Sequence, residues 1–404
     1  MKAISKKLNE AIREALEESR KKATLRKMKV GFKTTSLRKH FSELEEPREL
    51  GKVRHNLIDI VTIAICATIC GANDWVGVAT YGKAKEEWLR SFLELPNGIP
   101  SHDTFNNVFN KLSAKNFQEC FIKWVQQVIE LTSGEVVAVD GKRLRRSYDR
   151  QSGKGAIHMV SAWASENQIV LGQVKTAEKS NEITAIPELL KLLNIKGCTI
   201  TIDAAGCQKN IAQDIIEYEA DYVLALKGNQ GTLHQDVKDY FEYALAKNFE
   251  GIKHQYIETL DADHGRIETR RYWMVSNIEW LDNKEIWANL NSIGMVESRR
   301  ELNGKITVER RFFITSLNNQ IERFARAVRA HWGIENTLHW SLDVTFNEDY
   351  SRLRKQNGAE NFAVLRHIAL NLLKQDSSRK TGIQNKRFRA ALDQKYLFNI
   401  LTGL

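Results

Sequence analysis

Two aspartates stand at the ends of two short apolar runs. Val136, Val137, Ala138 and Val139 lead into Asp140, Gly141 and Lys142, and the segment CTITIDAAG carries Asp203 in the same place. Runs this short, β-branched and closed by glycine read as buried strands. An aspartate at the end of such a strand sits where an apolar core gives way to a surface. Asp140 alone would serve equally well to open an Asp-Gly turn. The repeat of the design at Asp203 is what suggests a pair working together. Carboxylate oxygens are hard donors suited to Mg²⁺, and two such ions ~3.5–4 Å apart stabilise both the attacking and the leaving oxygen of a phosphoryl transfer. A centre of this kind needs a third carboxylate, which is expected from a helix late in the chain. Glu335, inside HWGIEN, is the candidate. On an α-helix His331 and His339 would lie one turn before and one turn after it, on the same face. Asp343, a turn further on, is a rival ligand.

The elements that must position these groups change character along the chain. Residues 1–55 form a basic arm, with 16 Lys or Arg against 8 Asp or Glu. Residues 56–132 read as a helical domain; Ser101 is a good N-cap, and Phe105, Val108, Phe109 and Leu112 keep a helical rhythm. From 133 the period becomes strand-like. EVVAVDGK, AIHMVSAWASE and QIVLGQVKT make three consecutive strands, the last two joined by a tight turn at Glu166-Asn167-Gln168. Helix 183–193, strand CTITID, helix 209–218 and strand DYVLALK follow, so the expected architecture is α/β, a mixed sheet with helices on its faces. This is the arrangement of the ribonuclease H-like fold. Its core is assigned to residues 133–248 and 318–375, interrupted by a β-rich insertion at 249–317 whose alternation of apolar and basic residues marks a solvated, cationic face. Residues 376–404 are a basic helical tail.

Composition narrows the function. Forty-two per cent of the 404 residues are hydrophobic and only 4 are proline, as in a folded globular protein of two or three domains. The formal charge of +10 favours a polyanion partner, nucleic acid before anionic membrane. Five scattered cysteines argue against a disulfide framework and suit a reducing compartment. The N-terminus lacks the apolar centre of a signal peptide, and the longest apolar run, from Leu57 to Cys70, contains Asp59 and is too short to span a bilayer. A soluble, cytoplasmic protein is expected.

The segments IPSHDTFNNVF, VAVDGKRLRRS, KSNEITAIPELLKLL, TIDAAGCQKNIA, YVLALKGNQ, HGRIETRRY and HWGIENTLHWSLDVTFNED, in this order, closely resemble the insertion-sequence DDE transposases of the H-repeat-associated kind. The resemblance implies that Asp140, Asp203 and Glu335 are the acidic triad, holding two Mg²⁺ or Mn²⁺ ions on a ribonuclease H-like core. It implies hydrolysis of a phosphodiester at each transposon end, then attack of the freed 3′-hydroxyl on target DNA. Partners would be double-stranded DNA, as terminal inverted repeats and as target, and a second copy of the chain assembled on it; the setting would be the bacterial nucleoid. Lys142, Arg143, Arg145 and Arg146 are placed to contact phosphates, with Lys227, Arg266, Arg270 and Arg271 as further contacts. Where the wider superfamily has Tyr, Arg and Lys around its glutamate, this chain has Val328, His331 and Leu342, so His331, His339 and Arg329 are the expected replacements. Two rivals keep the fold: a metal-dependent nuclease without strand transfer, and a catalytically silent DNA-binding relative.

Overall fold

The computed structural model describes residues 35–148, 155–176, 182–263, 266–302 and 304–403. The expected basic arm therefore falls largely outside the described residues. Contacts divide the chain into two compact units, one formed by 129–145 and 155–341, the other, among the described residues, by 35–128, 146–148 and 342–403.

The first unit is built on a nine-stranded sheet ordered β3-β2-β1-β4-β5-β9-β8-β7-β6. Its inner half comprises β1 (Val136–Arg143), β2 (His158–Ala164), β3 (Ile169–Lys175), β4 (Thr199–Ile202) and β5 (Asp221–Leu226). β2 runs antiparallel to β1 and β3, while β1, β4 and β5 are mutually parallel, which is the ribonuclease H-like topology. Residues Val136–Val139 are all buried, as a strand covered on both faces requires. The covering helices are α1 (Glu182–Leu192), α2 (Lys209–Glu217), α3 (Gly231–Ala246) and α4 (Ile321–Gly333).

Strand lengths decide where chemistry is possible. β4 ends at Ile202, opposite Val139, whereas β1 continues to Arg143 with β2 alone beside it. A notch opens at the sheet's edge, and Asp140 and Asp203 are the first residues beyond the last paired couple. Crevices at the carboxyl ends of parallel strands are where α/β sheets place their ligands.

The 249–317 segment supplies β6 (Gln255–Asp263), β7 (Arg266–Val275), β8 (Ser292–Leu302) and β9 (Lys305–Thr315), which continue the same sheet through β5. The expected cationic face of this segment is laced with cross-strand ion pairs: Arg271 meets Glu258 at 2.7 Å and Arg310 meets Glu297 at 2.8 Å. The alternating arginines are balanced by glutamates on facing strands, a pairing that periodicity along one strand does not reveal.

Helix α4 locks the two halves of the sheet together. Phe324, buried under the sheet, shares one apolar cluster with Val136 of β1, Val223 of β5, Tyr272 of β7 and Phe313 of β9. It fits because β8 has Gly294 beneath it: a Cβ there would stand 2.3 Å from the ring.

In the second unit, helices Leu57–Ile69 and Gly358–Gln375 are buried along nearly their whole lengths. Asn361 donates to the carbonyls of Phe109 and Leu112, and Arg387 to those of Thr68 and Ile69. Ser101 caps helix His102–Lys111 as expected, accepting from the Thr104 amide at 3.2 Å. All five cysteines are free. Among the described residues no helix is long and apolar enough to cross a membrane.

Gly294→Ala forces Phe324 out of its seat and is expected to cost about 1–3 kcal/mol, the usual range for overpacking. Calorimetry should show a melting temperature several degrees lower, while Gly51→Ala, where an added Cβ meets nothing within 4 Å, leaves it unchanged.

Candidate active site

Asp140 is 16% exposed on its side chain, and its Oδ1 accepts from the Gly141 amide at 2.8 Å. Its Oδ2 lies 3.6 Å from Nδ1 of His339. Asp203 caps the turn after β4, its Oδ1 accepting from the amides of Ala205 and Gly206 at 3.0 and 3.2 Å. That Asx-type turn fixes the carboxyl just beyond the strand. Glu335 is exposed and lies immediately beyond α4, where the backbone changes winding: Ile334–His339 is a π-helix, followed by a second π stretch at Ser341–Thr345. The continuous α-helix expected here is thus underwound into wider turns, an arrangement often found at functional sites. The α-helical register that put His331, Glu335, His339 and Asp343 on one face does not persist.

Under this winding the two histidines part company. His339 approaches Asp140, whereas His331 turns under the sheet, its Nδ1 3.0 Å from the hydroxyl of Thr201. Burial pushes the His331 imidazolium down to a pKa of about 4, against the pull of Asp203, so the ring is neutral at pH 7. It carries no charge there with which to clamp a phosphate. Asp343 belongs to the other compact unit, where its charge acts on the buried guanidinium of Arg366.

The electrostatics bring the sequence-predicted carboxylates together. The Asp140 carboxyl is pushed up to about 7, first by burial and further by the negative charges of Glu182, Asp203 and Glu335, with the Gly141 amide pulling the other way. A cleft of about 450 Å³ lies beside Asp203 and Glu335, with Lys227, Arg311, His331 and Trp332 on its walls. Arg311 stacks 4.5 Å over the Trp332 ring. Trp340 is 57% exposed.

Glu182 was not singled out from sequence, where it reads as an ordinary first residue of a helix. It stands 2.9 Å from Nε2 of His158 and rests over the backbone of β1, where a Cβ at position 141 would come within 1.9 Å of its Oε1. Its sequence signal was indirect: a glycine directly after the strand aspartate.

Among the described residues no three His, Cys, Asp or Glu side chains converge closely enough to grip an ion as they stand. The donor set nevertheless fits a hard divalent cation. It consists of carboxylates, and their crowding at Asp140 is an excess of negative charge that a cation would relieve.

The basic candidates are placed unevenly. Arg143, Arg145 and Lys227 are exposed and Lys142 is half-buried, all at the carboxyl ends of β1 and β5 or just beyond. Arg146 is half-buried, 5.1 Å over the Tyr350 ring. Arg270 is only 8% exposed, ion-paired to Asp261 and to Glu268. Arg271 is engaged by Glu258 and Glu297, and Arg329 is half-exposed 3.6 Å from Asp261. Arg266 opens β7, and its side chain lies outside the described residues.

The chain resembles known proteins over most of its length. Residues 131–372 match the transposase DDE domain, and residues 38–125 match the domain described as DDE_Tnp_1-associated. YncI of Escherichia coli O157:H7 is 43% identical over 91% of this chain and 95% of its own length. The H repeat-associated protein YhhI of Escherichia coli K12 is 40% identical over 91% of this chain and 98% of its own. A piggyBac transposase synaptic complex with hairpin DNA is a distant structural neighbour, with 12% identity, TM-score 0.39, and coverage of 91% of this chain and 80% of that one. The chain belongs to the DDE transposase family, in its H-repeat-associated branch.

The Asp140 environment predicts a pH-dependent stability. Folded, Asp140 takes up its proton at about 7; an ordinary aspartate does so at 3.8. Between those values the folded state keeps a proton that the unfolded chain has released, so stability falls as pH rises through the window and the full penalty applies above it. Asp140→Asn removes that penalty. Without divalent cations it is expected to raise stability by roughly 1–3 kcal/mol above pH 7 and to have no effect near pH 3. Melting curves of the two proteins that coincide at every pH would contradict the assignment.

Proposed function

We propose that this protein cleaves DNA at transposon ends and joins the freed ends to target DNA, with Asp140, Asp203 and Glu335 holding two Mg²⁺ or Mn²⁺ ions. The observation that supports the reading is the position of Asp140 and Asp203 just beyond the last paired couple of β1 and β4, with Glu335 beside Asp203 on the wall of one cleft. Bound there, the cations would supply Lewis-acid activation of the nucleophile and neutralise charge on the leaving oxygen. In the first reaction a water oxygen bonds to phosphorus and the P–O3′ bond breaks, leaving a 3′-hydroxyl on the element. In the second, that hydroxyl oxygen attacks a target phosphodiester, and a target 3′-oxygen leaves with the proton.

The chain's own residues orient the substrate. The Asx turn fixes the Asp203 carboxyl at the end of β4, and the Gly141 amide fixes one oxygen of Asp140. Lys142, Arg143, Arg145 and Lys227 follow the strand ends and hold backbone phosphates on the approach to the carboxylates. Arg271 and Arg329 exchange their glutamate and aspartate partners for phosphate in the complex. The duplex carries both inverted repeats, and two copies of the chain assemble on it, in the bacterial cytoplasm on the nucleoid.

A plasmid bearing the element's inverted repeats tests the reading. Wild-type protein is expected to cut at the repeats and produce strand-transfer products in Mg²⁺, and Asp203→Ala to do neither. Glu335→Gln should abolish cutting while Asp343→Asn retains it; the reverse result would give the third carboxylate to Asp343. Cutting without joined products would establish a nuclease, and binding with neither would establish a silent relative. Affinity for DNA is expected to fall by about a thousandfold between 50 and 200 mM salt if six or more phosphates are held; flat salt dependence would remove the cationic contacts.

A further inference from the structure

We propose that Glu182 is a fourth carboxylate of the cation centre, held ready by His158 and given room by the missing side chain at Gly141. The proposal rests on the metal-dependent reading above and adds a ligand to it.

Three observations converge on this residue. The first is clearance. With a Cβ at position 141, Oε1, Cδ and Cγ of Glu182 would stand at 1.9, 2.3 and 2.8 Å from it, so almost the whole acid group occupies the space glycine leaves. No other residue at 141 admits this carboxyl without displacing it, and 141 directly follows Asp140.

The second is electrostatic. Glu182 packs over the backbone of Gly141, whose amide also donates to Oδ1 of Asp140 at 2.8 Å. Glu182 is itself 18% exposed on its side chain, so two acid groups share a poorly solvated pocket. Like charges so placed repel. An architecture that presses them together is stabilised when a cation lies between them.

The third is preorganisation. His158 opens β2 opposite Arg143, on the stretch of β1 that has lost β4 as a neighbour. Its Nε2 holds Oε1 of Glu182 at 2.9 Å. A long acid side chain loses rotamer freedom on gripping an ion, and a fixed second contact reduces that loss.

The test is Mn²⁺ binding, followed by the electron paramagnetic resonance signal of free Mn²⁺ and by the Mn²⁺-induced rise in melting temperature, with no DNA present. Glu182→Gln keeps shape and a hydrogen-bonding group for His158 while removing the charge. It is expected to weaken Mn²⁺ at least tenfold and to lose most of the thermal upshift. Gly141→Ala retains every carboxylate but evicts Glu182, and is expected to weaken binding as well. His158→Gln should weaken it by a smaller factor, and Asp343→Asn not at all. If Glu182→Gln and Gly141→Ala bind Mn²⁺ like wild type while Asp203→Asn does not, Glu182 is only an ion-pair partner of His158 and this inference fails alone. If wild type itself takes up no Mn²⁺, the metal-dependent reading fails with it.

Discussion

The constraint on which the structure turns is mutual repulsion among acid groups at a poorly hydrated sheet edge. Asp140, Asp203, Glu335 and Glu182 come from a strand, a turn, a π-wound segment and a helix start, and the negative charges of the other three all act on Asp140. Folding alone would not select such a cluster, because the buried charge of Asp140 costs stability that the rest of the molecule must offset. Natural proteins keep arrangements of this kind where function demands them. Here the offset is visible in the cluster around Phe324, where one aromatic ring ties α4 to both halves of the sheet.

Geometry follows from strand length as much as from residue type. Had β4 run as far as β1, Asp140 would have been covered by a neighbouring strand and Asp203 would have been paired inside the sheet. Because pairing stops at Val139 and Ile202, both aspartates leave the ladder at the same level. The π winding after Gly333 does comparable work on the other side, sending His339 to Asp140 and His331 to Thr201 where a regular helix would have kept them on one face.

Much of this was legible in the residues. The Val-rich runs ending in Asp140 and Asp203 specified buried strands, and the meander followed by alternating helices and strands specified a mixed sheet with helices on its faces. What was hidden were features that depend on partners far along the chain. The glutamates that neutralise Arg271 and Arg310 sit on neighbouring strands, so each strand alone looked cationic. The importance of Glu182 lies in the absence of a side chain forty-one positions earlier, which spacing analysis does not register. A change from α to π winding is likewise not written in the residue spacing from which His331, Glu335 and His339 were placed on one helical face.

The central claim is that three distant acid groups form one cation-binding centre. Its most direct measurement is anomalous scattering from crystals soaked in Mn²⁺. The account predicts strong peaks within about 2.5 Å of carboxylate oxygens of Asp140, Asp203 and Glu335, a distance set by the reach of an oxygen–cation bond. Peaks confined to other acid groups at saturating Mn²⁺, with these three left unligated, would contradict it.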